Sequence, residues 1–120
     1  MAKKILIIED EQTLVKALEQ VLKEKGYDIA VAIDGDEGWE KINSFQPDLI
    51  LLDLILPKLD GFSVLRKMRE QNLTSKIPVV VMTNLSDVGD KVISLGATNC
   101  LIKSDLSVDD IQEVVREKLQ

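Results

Sequence analysis

Five short apolar runs divide this chain at fairly even intervals, and this pattern constrains the fold more than any other feature. The runs are Ile5–Ile8, Ile29–Ala32, Leu49–Leu52, Ile77–Met82 and Cys100–Ile102. A strand that is buried on both faces has a continuous apolar sequence, whereas a strand with one solvated face alternates apolar and polar residues. The runs therefore predict five strands of a parallel sheet that is covered on both sides.

Helical periodicity follows each of the five runs. The apolar positions that indicate helices are Leu14, Leu18 and Leu22, then Trp39 and Ile42, then Val64, Leu65 and Met68, and finally Ile111, Val114, Val115 and Leu119. A weaker pattern predicts a fourth helix at roughly 87–95, closed by Gly96. Asp34 with Glu37 resembles a capping box, and Ser107 with Asp110 caps the last helix. Helices thus connect successive strands.

This order predicts a doubly wound α/β fold. Right-handed crossovers place helices on both faces of a five-stranded parallel sheet, (βα)5, with the flavodoxin-like strand order 2-1-3-4-5. The length of 120 residues suits one domain, and we expect it to occupy residues 1–120. No second domain is predicted, which is compatible with a stand-alone protein or with a piece of a larger one.

Composition excludes several classes of function. The net charge is −6 without a basic cluster, so neither nucleic acid nor an anionic membrane surface is an expected partner. The chain has no His, which excludes His-based general bases and His metal ligands. The single Cys excludes an intrachain disulfide and fits a reducing, cytoplasmic setting. The sequence shows neither a signal peptide nor a membrane span.

Polar residues that carry chemistry follow four of the predicted strands. Glu9, Asp10 and Glu11 follow the first run, Asp53 the third, Thr83 the fourth and Lys103 the fifth. In open parallel sheets, ligands bind at the carboxyl ends of the strands, so these side chains are expected to converge. Crowded carboxylates repel one another, and a hard cation such as Mg²⁺ relieves that repulsion. The competing interpretation is a solvated acidic loop that caps the first helix.

Asp53 is the candidate nucleophile. It follows four apolar residues, where an unpaired carboxylate is costly, and a carboxylate that attacks phosphorus forms an acyl phosphate. Lys103 offers a positive charge and Thr83 a hydroxyl for the added oxygens. Taken singly, each of these two is an ordinary strand-end residue, so the hypothesis rests on their shared location.

Motifs spread along essentially the whole chain resemble one known family. They are Ile5 to Glu11, Pro47 to Asp53, Pro57, Gly61, Pro78 to Thr83, Leu95-Gly96-Ala97 and Lys103. In this order they are similar to the receiver domains of bacterial two-component response regulators. The resemblance implies a phosphoryl-accepting switch rather than an enzyme with an external substrate: such domains catalyse only their own phosphorylation and dephosphorylation.

The resemblance also implies roles for individual residues. Asp53 corresponds to the phosphoryl acceptor, Lys103 to the phosphoryl-binding lysine and Thr83 to the switch hydroxyl. The implied Mg²⁺ ligands are Glu9, which acts through water, Asp10, Asp53 and the backbone carbonyl of Ile55. The implied partners are a sensor histidine kinase or histidine phosphotransfer protein and a downstream protein target. The target would meet the surface of the fourth helix, fifth strand and fifth helix.

The chain departs from the family pattern at three positions. Cys100 stands where the family usually has Tyr or Phe, Ser104 where a Pro is usual, and Asn84 where a small residue is common. These departures leave open a degenerate receiver that binds partners without phosphorylation.

Two other classes fit less well. An Asp-nucleophile phosphohydrolase needs a second Asp two residues after the first, and that position is Ile55. A nucleotide or flavin binder places a Gly-rich loop after the first strand, where this chain has three acids. This chain therefore lacks the second Asp that the phosphohydrolase chemistry requires and the Gly-rich loop that a nucleotide or flavin binder requires.

Overall fold

Strands and helices alternate along the chain, as the apolar runs predict. The computed structural model describes residues 1–120. The strands are β1 (Lys4–Ile8), β2 (Asp28–Ala32), β3 (Leu49–Leu52), β4 (Val79–Thr83) and β5 (Asn99–Ile102). The helices are α1 (Gln12–Glu24), α2 (Gly35–Phe45), α3 (Gly61–Glu70), α4 (Gly89–Ser94) and α5 (Val108–Lys118), with a 3-10 turn at Lys103–Asp105. None of these helices is both long enough and apolar enough to span a membrane.

All five strands are parallel and lie in the order β2-β1-β3-β4-β5, which confirms the predicted topology. Side chains of the central strands alternate between two separate apolar clusters. Leu6, Ile8, Ile50 and Leu52 pack on the face covered by α2, α3 and α4. Ile5, Ile7, Leu49 and Leu51 pack on the face covered by α1 and α5. Burial on both faces explains why the central strands are continuously apolar.

Side-chain caps begin three of the helices. Ser107 and Asp110, which the sequence predicts to cap α5, form a reciprocal capping box. At α2 only half of the predicted box is present: the Asp34 carboxylate accepts from the Glu37 N–H at 2.8 Å, but the Glu37 carboxylate pairs with Lys41 at 2.9 Å. Asp60 caps α3 by accepting from the Ser63 N–H.

Two element boundaries differ from the sequence-based expectation. β4 begins at Val79 rather than Ile77, because Pro78 has no N–H to donate and the Ile77 N–H closes a turn on Leu73. α4 is shorter than the expected 87–95, because Asp87 adopts φ 59°, outside the helical region. Both differences come from single residues that interrupt a regular pattern.

Candidate functional site

Strand register brings the polar strand-end residues to one edge of the sheet. Ile8 of β1 pairs with Leu52 of β3, so the residues that follow them lie side by side. The Asp53 N–H donates to the Ile8 carbonyl at 3.0 Å and continues the ladder one step beyond the strands. Glu9 and Asp53 are thereby fixed at the same level of the sheet.

Three carboxylates form a compact cluster at this edge. Glu9, Asp10 and Asp53 each have an oxygen within 4.8 Å of the others. Glu9 is fully buried and Asp53 is nearly so, whereas Asp10 is exposed. Several carboxylate oxygens at this spacing, open to solvent on one side, form the kind of ligand set that Mg²⁺ binds together with water.

Lys103 is the counter-charge of the cluster. Its Nζ lies 2.7 Å from Glu9 Oε1, 3.3 Å from Asp53 Oδ2 and 3.3 Å from Glu11 Oε2. Glu11 thus contacts the lysine but is not a member of the carboxylate cluster. Burial alone would lower the pKa of the Lys103 ammonium, but the hydrogen bond and charge of Glu9 and the charge of Asp53 outweigh it and raise that pKa. The side chain therefore stays cationic.

The site nevertheless carries an excess of negative charge. Four carboxylates, those of Glu9, Asp10, Asp53 and Glu11, face one ammonium. Burial is the main cause that raises the pKa of Glu9, and the bonds from Lys103 and the Glu11 N–H oppose it only in part. A divalent cation complements this excess of negative charge, so the donor set fits a magnesium ion.

Thr83 and Ile55 flank the cluster. Thr83 is fully buried at the end of β4, and its Oγ1 accepts from the Leu85 N–H at 3.1 Å rather than contacting Asp53 or Lys103. The Ile55 N–H donates to Asp53 Oδ1 at 3.3 Å. The Ile55 carbonyl accepts no hydrogen bond, which leaves its oxygen available to a ligand. The candidate site residues of the sequence analysis thus lie at this edge of the sheet, with Thr83 at the margin and without a hydrogen bond to Asp53 or Lys103.

Two glycines hold the loop after Asp53 in place. A Cβ on Gly61 would lie 2.3 Å from the Asp53 carbonyl oxygen, and a Cβ on Gly35 would lie 1.6 Å from that of Leu59. The Gly61 N–H donates to Leu54 at 2.9 Å, and the Gly35 N–H donates to Pro57 at 3.3 Å. Sequence reasoning missed the role of Gly35, because only the folded chain brings the start of α2 against the loop that follows β3.

A second feature that sequence reasoning missed is a bond between Asn84 and Ser104. The Ser104 N–H donates to Asn84 Oδ1 at 2.9 Å. Both residues line, with Glu11, Leu14 and Lys103, a shallow cavity of about 190 Å³ beside the cluster. A larger cavity of about 560 Å³ lies at the amino ends of the strands, between Tyr27 and Phe45, far from this chemistry. The smaller cavity is the one that adjoins the candidate site.

The sequence is similar to one family of known domains and to several curated proteins. The sequence model of the family described as "Response regulator receiver domain" matches residues 5–116. The chain is 41% identical over 105 residues to the alkaline phosphatase synthesis transcriptional regulatory protein PhoP of Bacillus subtilis, a match that covers 86% of this chain and 43% of that protein. It is 38% identical over 119 residues to the DNA-binding dual master transcriptional regulator RpaA of Synechocystis sp., covering 98% of this chain and 49% of that protein. The chain spans about half the length of the curated relatives it matches.

Solved structures show the same similarity. The receiver domain of the Francisella response regulator 1452 superposes with a TM-score of 0.88 at 29% identity, covering 97% of this chain and 95% of that one. A CheY-like response regulator receiver domain protein from Methanospirillum hungatei superposes with a TM-score of 0.88 at 26% identity, covering 99% and 94%. The similarity therefore extends over the complete (βα)5 unit.

Proposed function

Since this chain belongs to the receiver-domain family of two-component response regulators, we propose that residues 1–120 form one phosphoryl-accepting switch with Asp53 as the acceptor. The observation that carries the proposal is the setting of Asp53. Its carboxylate is nearly buried, yet one oxygen contacts the Lys103 ammonium at 3.3 Å and the other accepts from the Ile55 N–H at 3.3 Å. A carboxylate oriented in this way is held for reaction rather than hidden in a core.

In the proposed reaction, a carboxylate oxygen of Asp53 attacks the phosphorus of a phosphodonor. An O–P bond forms, the bond from phosphorus to the donor's nitrogen or oxygen breaks, and its electron pair leaves with the donor. Asp53 reacts as the anion, so no base has to remove a proton, in keeping with a chain that has no His. Lys103 stabilises charge on the transferred oxygens from its position beside Asp53.

Glu9, Asp10, Asp53 and the carbonyl of Ile55 are the proposed Mg²⁺ ligands. When bound, the ion supplies positive charge that shields the incoming phosphoryl group from the four carboxylates. The buried Glu9 is oriented by Lys103 and by the Glu11 N–H, which donates to Glu9 Oε2 at 3.1 Å. These contacts hold one ligand in place while the exposed Asp10 remains open to solvent.

Thr83 is the proposed switch hydroxyl. Phosphorylation adds acceptor oxygens near the end of β4, and the Thr83 hydroxyl would exchange its bond with the Leu85 N–H for one with the phosphoryl group. That exchange would move the loop before α4 and alter the surface made by α4, β5 and α5. We propose a sensor histidine kinase or phosphotransfer protein as donor, a protein as the direct target, and a cytoplasmic location. The domain catalyses only its own phosphorylation and dephosphorylation.

The test is labelling by acetyl phosphate in excess Mg²⁺, followed by intact-mass measurement. The unsubstituted protein should gain one phosphoryl group, and Asp53→Asn should gain none, because an amide does not attack phosphorus. Asp60→Asn is the matched control: it makes the same chemical change at a helix cap that Asn also fills well, and it should label like the unsubstituted protein. Equal labelling of Asp53→Asn would move the acceptor elsewhere, and no labelling at all would favour the phosphorylation-independent binding module.

A further inference from the structure

A side chain continues the hydrogen bonding between β4 and β5 beyond their last paired residues. The strands end with Thr83 opposite Ile102. One step further, Asn84 Oδ1 accepts from the Ser104 N–H at 2.9 Å, although the two residues are 20 positions apart. Ser104 lies in the 3-10 turn, whose first N–H groups have no partner within the turn. Asn84 therefore caps this turn from the neighbouring loop.

The bond joins the two segments that carry candidate residues of the site. Asn84 directly follows Thr83, and Ser104 directly follows Lys103. The lysine side chain is a flexible four-carbon chain. Its ammonium contacts three carboxylates at 2.7 to 3.3 Å. Holding a flexible side chain at such distances requires that its backbone be fixed, because small displacements of a catalytic group are costly.

Few other polar contacts fix this part of the backbone. Within the turn, the Leu106 N–H donates to the Lys103 carbonyl at 3.2 Å, a local bond that does not attach the turn to the sheet. Lys103 already lies outside β5, which ends at Ile102. The Asn84–Ser104 bond attaches the turn to the residue that follows β4.

From this placement we propose that Asn84 is a positioning residue. Through its bond to the Ser104 N–H it fixes the backbone next to Lys103, and so holds the Lys103 ammonium against Asp53 during phosphoryl transfer. The transfer itself is the one described above: the Asp53 oxygen forms the bond to phosphorus, and the donor leaves with the electron pair of the broken bond. The inference rests on the proposed function of Asp53.

Substitutions at Asn84 and Ser104 can be chosen in pairs that remove or keep one hydrogen-bonding group. Asn84→Ala removes the acceptor, whereas Asn84→Asp keeps an oxygen in the same place. Ser104→Ala removes the hydroxyl but keeps the N–H that donates, whereas Ser104→Pro removes the N–H. Initial rates of labelling by acetyl phosphate, measured in excess Mg²⁺ over a range of donor concentrations, separate the saturating rate from the donor concentration at half-saturation.

Asn84→Ala should lower the saturating rate by about two- to tenfold, the effect of one lost hydrogen bond, with little change in half-saturation. Ser104→Ala, which keeps the donating N–H, should stay within about twofold of the unsubstituted protein. Asn84→Asp keeps the acceptor but adds a negative charge beside the cluster, so its saturating rate should lie between those of Asn84→Ala and the unsubstituted protein. The Ser104 amide should exchange slowly with solvent when residue 84 is Asn or Asp and rapidly when it is Ala. A purely structural role would leave the rates unchanged at temperatures where all variants are folded.

Ser104→Pro alters backbone geometry as well as removing a donor, so it is used in a double-variant comparison. If the two residues act as a pair, adding Asn84→Ala to Ser104→Pro should cause no further loss of rate. The proposal would be overturned if the rate losses of the two single variants multiplied in the double variant. It would also be overturned if the variants changed only the donor concentration at half-saturation, which would assign the pair to donor binding. An unchanged rate in Asn84→Ala overturns this inference alone, whereas absence of labelling in the unsubstituted protein overturns the proposed function and this inference together.

Discussion

At the scale of single residues, Lys103 decides whether the acidic cluster is tolerated. Glu9 is fully buried, and a buried charge is costly unless it is paired. The Lys103 ammonium is mostly buried too, with a side chain 12% exposed, and it contacts Glu9 and Asp53 at once. Removing one partner of a buried pair is more destabilising than the pair itself is stabilising.

We therefore expect Lys103→Ala to slow labelling of Asp53 while leaving the domain folded. Its free energy of unfolding should fall by about 2–3 kcal/mol, less than for a fully buried pair because the site is open to solvent at Asp10. Lys58→Ala is the control: Lys58 lies 3.6 Å from Asp34 with its side chain 65% exposed, so loss of its charge should cost under about 1 kcal/mol. Urea titration and labelling rates measure both effects, and equal behaviour of the two variants would contradict the assigned role of Lys103.

Cys100 should be a poorly reactive thiol. Burial raises the pKa of this thiol, so the thiolate that reacts with alkylating reagents is scarcer near neutral pH than in an exposed cysteine. Iodoacetamide should alkylate the folded protein at least severalfold more slowly than the urea-unfolded protein. Because Cys100 is the only cysteine, mass measurement reports on it alone. Equal rates in both states would show that folding does not protect this thiol, and a faster rate in the folded protein would support a redox-sensing thiol.

Much of the candidate site could be predicted from the sequence, because its residues directly follow the strands. The acids after β1 and Asp53 after β3 are each adjacent in sequence to a readable apolar run. The Asn84–Ser104 bond had no such signal, since it joins two loops that only the completed sheet brings together. In the sequence both residues stand out only as departures from the family pattern, whereas in the folded chain they are hydrogen-bond partners.

At the scale of elements, α4 is the least secured helix. It has six residues, begins with Gly89, and has no side-chain cap at Val88. The existence of α4 could be predicted from its periodicity, but its start could not, because a positive φ at Asp87 is a property of the turn rather than of the pattern. The same holds for β4, whose start depends on the missing N–H of Pro78.

The same substitution should therefore have opposite effects in two helices. A Cβ added at Gly89 meets no atom within 4 Å, so Gly89→Ala should raise the free energy of unfolding by about 0.4–1 kcal/mol. A Cβ at Gly38 of α2 would lie 2.9 Å from the Ile8 side chain, so Gly38→Ala should lower it by about 1–3 kcal/mol through overpacking. Urea unfolding of both variants checks the signs, and a destabilised Gly89→Ala would show that α4 needs its glycine.

At the scale of the whole molecule, we expect stability to depend on magnesium, because the proposed Mg²⁺ ligands Glu9, Asp10 and Asp53 lie in a chain with a net charge of −6. A ligand that binds only the folded state stabilises it, by about 2.7 kcal/mol at a concentration 100 times the dissociation constant. Mg²⁺ should therefore raise the unfolding temperature by more than NaCl does at equal ionic strength.

Asp10→Asn should raise the stability of the metal-free protein and reduce the stabilisation by Mg²⁺. It removes one carboxylate from the cluster, so the variant should be more stable than the unsubstituted protein in chelator and gain less from Mg²⁺. Thermal unfolding of the two proteins with and without Mg²⁺ gives the four values needed. An equal gain in both proteins would place the stabilising ion elsewhere.

The residues that meet at the candidate site are spread over positions 9 to 103 of the chain. During synthesis on the ribosome, Asp53 emerges long before Lys103 is made, and β3 must wait for β4 before it has both of its neighbours. A nascent chain therefore carries the acceptor but not the arrangement that we propose makes it reactive. Under this proposal, topology alone delays efficient labelling, since the signal is received well only by a chain in which β5 and Lys103 have been made and have joined the sheet.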